Sequence, residues 1–203
     1  MAGKKLSRKK ARECARSMVA EGDLTREAHL EVFEKMMDSR HEQDQRLAIA
    51  LLGHFIEKYP HDFDRDVTLD KLIEYGDKLC RSSWNDFGAE VLYPVLENRS
   101  APAIWIDKIA DEESQDMRSA FAAALEELAK RKRNPLERIL GIARYFLDEP
   151  SAEVRDGLAD ALKQVGKRDP ERLHYFLAEH EKGAGSNRLA LIAAVRRKLG
   201  WEE

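Results

Sequence analysis

An arginine recurs along this chain at nearly constant intervals, each time followed by a small residue two positions on, a large apolar residue at three and an apolar residue or glycine at seven. The series reads Arg46-Leu47-Ala48-Ile49 with Gly53, Arg81-Ser82-Ser83-Trp84 with Gly88, Arg118-Ser119-Ala120-Phe121 with Leu125, Arg155-Asp156-Gly157-Leu158 with Leu162, and Arg188-Leu189-Ala190-Leu191 with Val195. Small and apolar residues are common, so a single match means little. What constrains the fold is the spacing of the five arginines, 35, 37, 37 and 33 residues. A period of that size is one supersecondary unit stacked on the next.

Each arginine segment carries apolar residues at helical spacing, and each is preceded by another segment that does the same: Leu30–Met37, Leu69–Leu79, Ala103–Ile109, Leu136–Phe146 and Leu173–His180. One repeat is therefore a helix pair. Asn134-Pro135 and Asp169-Pro170 set a cap residue before a proline at the first helical position, and Ala101-Pro102 behind Ser100 has the same look. Val/Ile/Thr-rich alternation is missing, so a sheet has little to be built from. The expected fold is all-α: a right-handed α-solenoid of two-helix repeats, one domain over residues 1–203, with a basic helix at 5–20 and about five helix pairs over 24–199.

A lone helix pair cannot bury its apolar side, so neighbours must stack, and the small residue after each arginine marks where helices approach. Ala48, Ala120, Gly157 and Ala190 are therefore expected between helices. Two readings of the arginine stay open. It pairs with an acid or carbonyl of an adjacent repeat, with Asp44, Asp116 and Glu153 close upstream, or it forms a ladder facing a phosphate backbone.

Charge and motifs narrow the function. The formal net charge of -3 argues against a uniformly basic nucleic-acid binder. The cations are clustered, however: Lys4, Lys5, Arg8, Lys9, Lys10, Arg12 and Arg16 at the start, Lys130 to Arg133 in the middle, and Arg188, Arg196, Arg197 and Lys198 at the end. Asp107, Asp111, Glu112, Glu113 and Asp116 offset them elsewhere. Such runs are solvated helix faces or, on a solenoid, a basic track. There is no GxSxG, HExxH, glycine-rich phosphate loop or CxxC pair. His29, His41, His54, His61, His174 and His180 lack a metal-ligand spacing, and His61-Asp62-Phe63-Asp64 reads as a turn, so no metal and no cofactor are expected. Cys14 and Cys80 suggest neither disulfide nor thiolate site, which fits a reducing cytoplasm. The basic start and the absence of any apolar run of ~18 residues leave no expected signal peptide or membrane partner.

The least regular segment is Arg81 to Leu96, RSSWNDFGAEVLYPVL, with a tryptophan, an Asn85-Asp86 pair and Pro94 inside its helix. Trp84 takes the slot of Ile49, Phe121, Leu158 and Leu191, the slot of a core residue. Asp86, two positions round the helix, is free to face outward.

Here the residues resemble a known family. SSWNDFGAEVL is similar to the tryptophan-and-aspartate stretch of the AlkD-like DNA alkylation repair proteins, and AIWIDKIADEESQDMR, Ala103 to Arg118, to the helix, acidic loop and arginine that follow it. Ser151 to Leu199 resembles the family's closing repeats, so the likeness runs from about residue 44. The resemblance implies HEAT-like repeats curved around duplex DNA, and glycosylases that cleave the N-glycosidic bond of cationic alkylpurines with an aspartate that stabilises the sugar cation and two tryptophans at the deoxyribose. By that resemblance Trp84 or its neighbour matches the first tryptophan. The family acid falls at Gly88 or Ala89, leaving Asp86 as the nearest carboxylate, and the second tryptophan falls near Asp160, where no aromatic stands. Arg118 and Lys163 match phosphate-touching positions, and Arg155 and Arg188 extend the arginine series. The implied function is a DNA-holding or lesion-sensing protein with weak or no base excision. The alternatives are a protein–protein scaffold on the same fold, and an active alkylpurine glycosylase using Asp86. On this reading Asp86 would not replace the family acid, because it lies about 200° from Gly88 on a regular ~3.6-residue turn.

Overall fold

The computed structural model describes residues 6–21, 26–39, 41–58, 69–98, 103–111 and 114–201. Lys4, Lys5, the His61–Asp64 turn and the Ser100–Pro102 cap fall outside them. The described chain is helical throughout, and it divides into two compact units, Met1–Asn98 and Arg99–Glu203.

In the first unit, α1 spans Arg8–Glu21, α2 Arg26–Met37, α3 Glu42–Lys58 and α4 Leu69–Asp77. The next helix, α5, opens on a 3-10 turn at Arg81–Ser83, runs through Trp84–Phe87, passes a π-helical turn at Gly88–Leu92 and ends at Tyr93–Asn98. Phe33, Met37, Ile49, Leu52, Ile56, Leu72 and Phe87 are fully buried, each contributing about 1.5–3 kcal/mol through the water it sheds. Phe33 of α2 meets Tyr75 of α4 edge-on, with ring centroids 4.8 Å apart. Gln45 is buried at the first turn of α3, and its amide is fully used. It donates to the carbonyls of Ser39 and Lys78 at 3.1 and 2.9 Å and accepts from the Cys80 N–H at 2.8 Å. A buried amide is tolerated because it ties two interhelical loops together.

In the second unit, α6 is Ala103–Ala110, α7 Gln115–Lys130, α8 Leu136–Ala143 with a 3-10 extension Arg144–Phe146, α9 Ala152–Arg168, α10 Pro170–Glu181 and α11 Ser186–Leu199. The second helix of each pair lies on the next, α7 on α9 and α9 on α11. The small residues explain the approach: Ala120 is buried, and a Cβ on Gly157 would stand 3.1 Å from that of Ala122. Ala48 is equally buried in the first unit. Ala190 departs from the expectation. It is exposed on α11.

The capping signals are partly as read. Asp169 accepts from the Arg172 N–H at 3.0 Å with Pro170 opening α10. Asn134 does something else: it is buried, and its side-chain amide donates to the Leu128 carbonyl at 3.0 Å, closing α7 rather than starting α8. Ser114 and Ser151 cap α7 and α9 instead. Arg168 completes that joint by donating to the carbonyls of Ala129 and Asn134 at 3.1 and 2.7 Å.

Candidate functional site

Pro94 shapes the irregular helix. It has no N–H to give, and its ring pushes away the carbonyl four residues back, that of Glu90. The chain answers with one wide turn in which the Tyr93 N–H reaches the Gly88 carbonyl, five residues back. The local break that the regular-helix expectation disfavoured is therefore present. It begins at Gly88, beyond Asp86, and so does not carry Asp86 round to the position of Gly88.

Trp84, which the resemblance would set at the deoxyribose of bound DNA, lies in the core and is 7% exposed. Neither its indole N–H nor the Ser83 hydroxyl has a hydrogen-bond partner among the described residues. Asp86 points away from that core toward α1 and α3. Its Oδ2 is 3.3 Å from Arg46 Nε and its Oδ1 3.8 Å from Arg8 Nε, and its side chain is 16% exposed. Burial pushes its carboxyl above the ordinary value; Arg46 and Arg8 pull it back, while Glu90 and Glu42 add to the rise.

Glu90, four residues on and inside the π-turn, completes the cluster. Arg8 Nε and Arg12 Nε each donate to one of its oxygens at 2.5 Å. Arg46 also reaches the Leu6 carbonyl at 2.8 Å, the Ser82 carbonyl at 3.4 Å and Glu42 at 3.1 Å. Three guanidiniums and three carboxylates thus face one another across α1, α3 and α5. Arginine is suited to this, since its planar fork satisfies several acceptors at once. Sequence reasoning singled out Asp86 and missed Glu90, Arg8, Arg12 and Arg46 as its company. The available signal was a matched spacing: Arg8 and Arg12 are one helical turn apart, as are Asp86 and Glu90.

The cations expected to meet phosphate lie in the second unit. Arg118 donates to both oxygens of buried Glu149, at 2.9 and 3.2 Å, and Glu149 also caps the Ser151 N–H at 2.8 Å. Arg155 donates to the Glu149 and Pro150 carbonyls at 2.8 and 2.7 Å, and Arg188 grips Asp148. These three arginines converge on the loop between α8 and α9. Arg46 likewise binds two carbonyls and an acid in the first unit, so wherever the side chain is described the recurring arginine binds an acid or carbonyl; that of Arg81 is not described. Lys163 has no ion pair among the described residues. Asp160, where the resemblance would put a second tryptophan, is bridged with Asp156 by Lys198, at 2.8 and 2.9 Å.

Among the described residues, no three of His, Cys, Asp and Glu are grouped as ligands for a metal ion, and no helix is long and apolar enough to cross a membrane. A family model described as DNA alkylation repair enzyme matches residues 7–197 of the chain. No curated protein and no solved structure matches it.

Proposed function

The chain belongs to the DNA alkylation repair enzyme family, and from that premise we propose that it holds duplex DNA and senses alkylated sites with little or no base excision. The observation that carries this is the state of Asp86. A carboxylate that stabilises a sugar cation must stand ready, with its field uncommitted, where positive charge develops. Asp86 instead faces the guanidiniums of Arg46 and Arg8. Gly88 and Ala89, where the resemblance sets the family acid, are small buried residues with no group to offer. Asp160 supplies no aromatic surface, and Lys198 offsets its charge.

The reading takes the helix pairs as HEAT-like repeats and assigns phosphate contact in the second unit first to Lys163. Arg118, Arg155 and Arg188 act there chiefly by holding the loop that positions α9. Single-turnover excision on a duplex carrying 7-methylguanine or 3-methyladenine tests the proposal. The expected result is no release above the uncatalysed rate, unchanged in Asp86→Asn. Robust release that disappears in Asp86→Asn overturns it and makes the protein a glycosylase that uses Asp86.

One observation favours the protein-scaffold alternative. Tyr175 is 73% exposed beside Pro170, His174, Ala178 and Trp201 on an open apolar cleft at α10, the composition of a surface that meets another protein. Absence of duplex binding at low salt would transfer the assignment to that surface.

A further inference from the structure

We propose that α1 is a phosphate-binding element of this protein, and that in the free chain Glu90 occupies its arginines in place of a DNA phosphate. The proposal rests on the DNA-holding reading above and names a site and a form of regulation for it.

The first ground is how α1 is attached. Its sequence, RKKARECARSMVAE, is strongly polar, and the buried apolar residues it contributes are two alanines: Ala11 and Ala15 against Ala50 and Leu51, with Leu6, Val32, Met36 and Leu47 partly buried around them. Alanines bury little area, so the hydrophobic effect holds this helix weakly. What fastens it besides is charge: Arg8 and Arg12 on the two oxygens of Glu90, Arg8 also beside Asp86, and Arg46 on the Leu6 carbonyl just before the helix.

The second ground is an asymmetry in that fastening. The arginine side chains are 37% and 49% exposed, while Glu90 is 8% exposed. The cations look out to solvent and the anion is covered, so an arriving anion meets the arginines first. Guanidinium binds carboxylate and phosphate through the same planar fork, so a phosphate oxygen substitutes for a Glu90 oxygen without new geometry. Arg8, Arg12 and Arg16 repeat every four residues, about 6 Å apart along the axis, on one face of α1. Arg12 and Arg16 line a cleft with Gly53, His54, Glu57 and Glu90, and the buried Nδ1 of His54, 4.0 Å from a Glu57 oxygen, has no hydrogen-bond partner among the described residues.

A duplex and Glu90 therefore compete for Arg8 and Arg12. Moving α1 away uncovers Glu90 to water, so the displaced carboxylate is rehydrated rather than stranded. In Glu90→Gln the competitor loses its charge. Duplex binding should tighten on the order of tenfold, within the usual range of coupling between two sites. The slope of log affinity against log salt should steepen by about 0.9 for each arginine released.

The experiment measures affinity for an undamaged duplex across a salt series in wild type, Glu90→Gln, Arg8→Gln/Arg12→Gln and the triple variant. The expected pattern is a gain in Glu90→Gln that vanishes in the triple variant. If wild type binds and Glu90→Gln binds no more tightly, the latch is overturned while the DNA-holding reading stands. If no variant binds at low salt, the DNA-holding reading falls and the latch with it. Should Glu90→Gln fail to fold, a fluorophore on exposed Cys14 of α1, in a Cys80→Ser background, supplies the readout. Its emission should shift at duplex concentrations that saturate binding, and constant emission through saturation would sink the proposal.

Discussion

Asp86 shows how a residue's chemistry follows from its company. Burial raises its pKa from 3.8, and two arginines do not fully reverse the rise. A carboxyl with a raised folded-state pKa holds its proton more tightly when folded. Its contribution to stability is therefore greatest below the unfolded value and falls as pH rises through the folded one. Asp86→Asn, which stays neutral, should gain stability relative to wild type between pH 3.5 and pH 7. Urea unfolding of both proteins at the two pH values checks this; a gap that moves in wild type's favour at pH 7 would mean that Arg46 and Arg8 outweigh burial. Trp84 is the simpler case, since its place in the repeat marked it as core and it is buried.

Among the elements, the π-turn of α5 and the middle of α3 are fitted to each other. Pro94 displaces the Glu90 carbonyl, and that carbonyl comes to lie against α3 at Gly53, where an added Cβ would stand 2.5 Å away. The obstacle is backbone, so it cannot rotate aside as a side chain would. In an open helix Gly53→Ala would stabilise by about 1 kcal/mol through propensity. Here overpacking should reverse the sign and cost about 1–3 kcal/mol. A chemical-denaturation midpoint decides between them, and a stabilised variant would show that α3 and α5 are not so closely packed. The loop between α8 and α9 is a second fitted joint, with Glu149 answering both Arg118 and the Ser151 N–H.

For the whole molecule, the net charge of -3 means that any hold on DNA comes from local clusters rather than from a general field. Lys163→Ala should then flatten the salt dependence of duplex binding by about 0.9 in log–log slope, without moving the thermal midpoint. Arg118→Ala should instead lower the midpoint, because it strips buried Glu149 of its guanidinium. Affinity titrations beside thermal melts separate the two effects. A Lys163→Ala protein that melts lower and binds with an unchanged slope would remove that lysine from the proposed DNA contact.

The helices, the burial of Ala48 and Ala120 and the close approach at Gly157 were legible in the sequence, because helical periodicity and the need for small residues where helices meet are local. Trp84 as core was legible for the same reason. The partners of the charged groups were not. Arg8 lies 82 residues from Glu90 and Arg118 lies 31 from Glu149, and spacing along a chain says nothing about which distant carboxylate a guanidinium will meet. Asp44, Asp116 and Glu153 were the candidates by proximity along the chain; Asp86 beside Arg46 and Glu149 beside Arg118 are partners that only folding brings there. The π-turn belongs to the same class. Pro94 announced an irregularity, but only the packing of α3 against α5 decided that the helix would widen by one residue rather than kink or stop, since it was there that the displaced carbonyl found room beside a glycine.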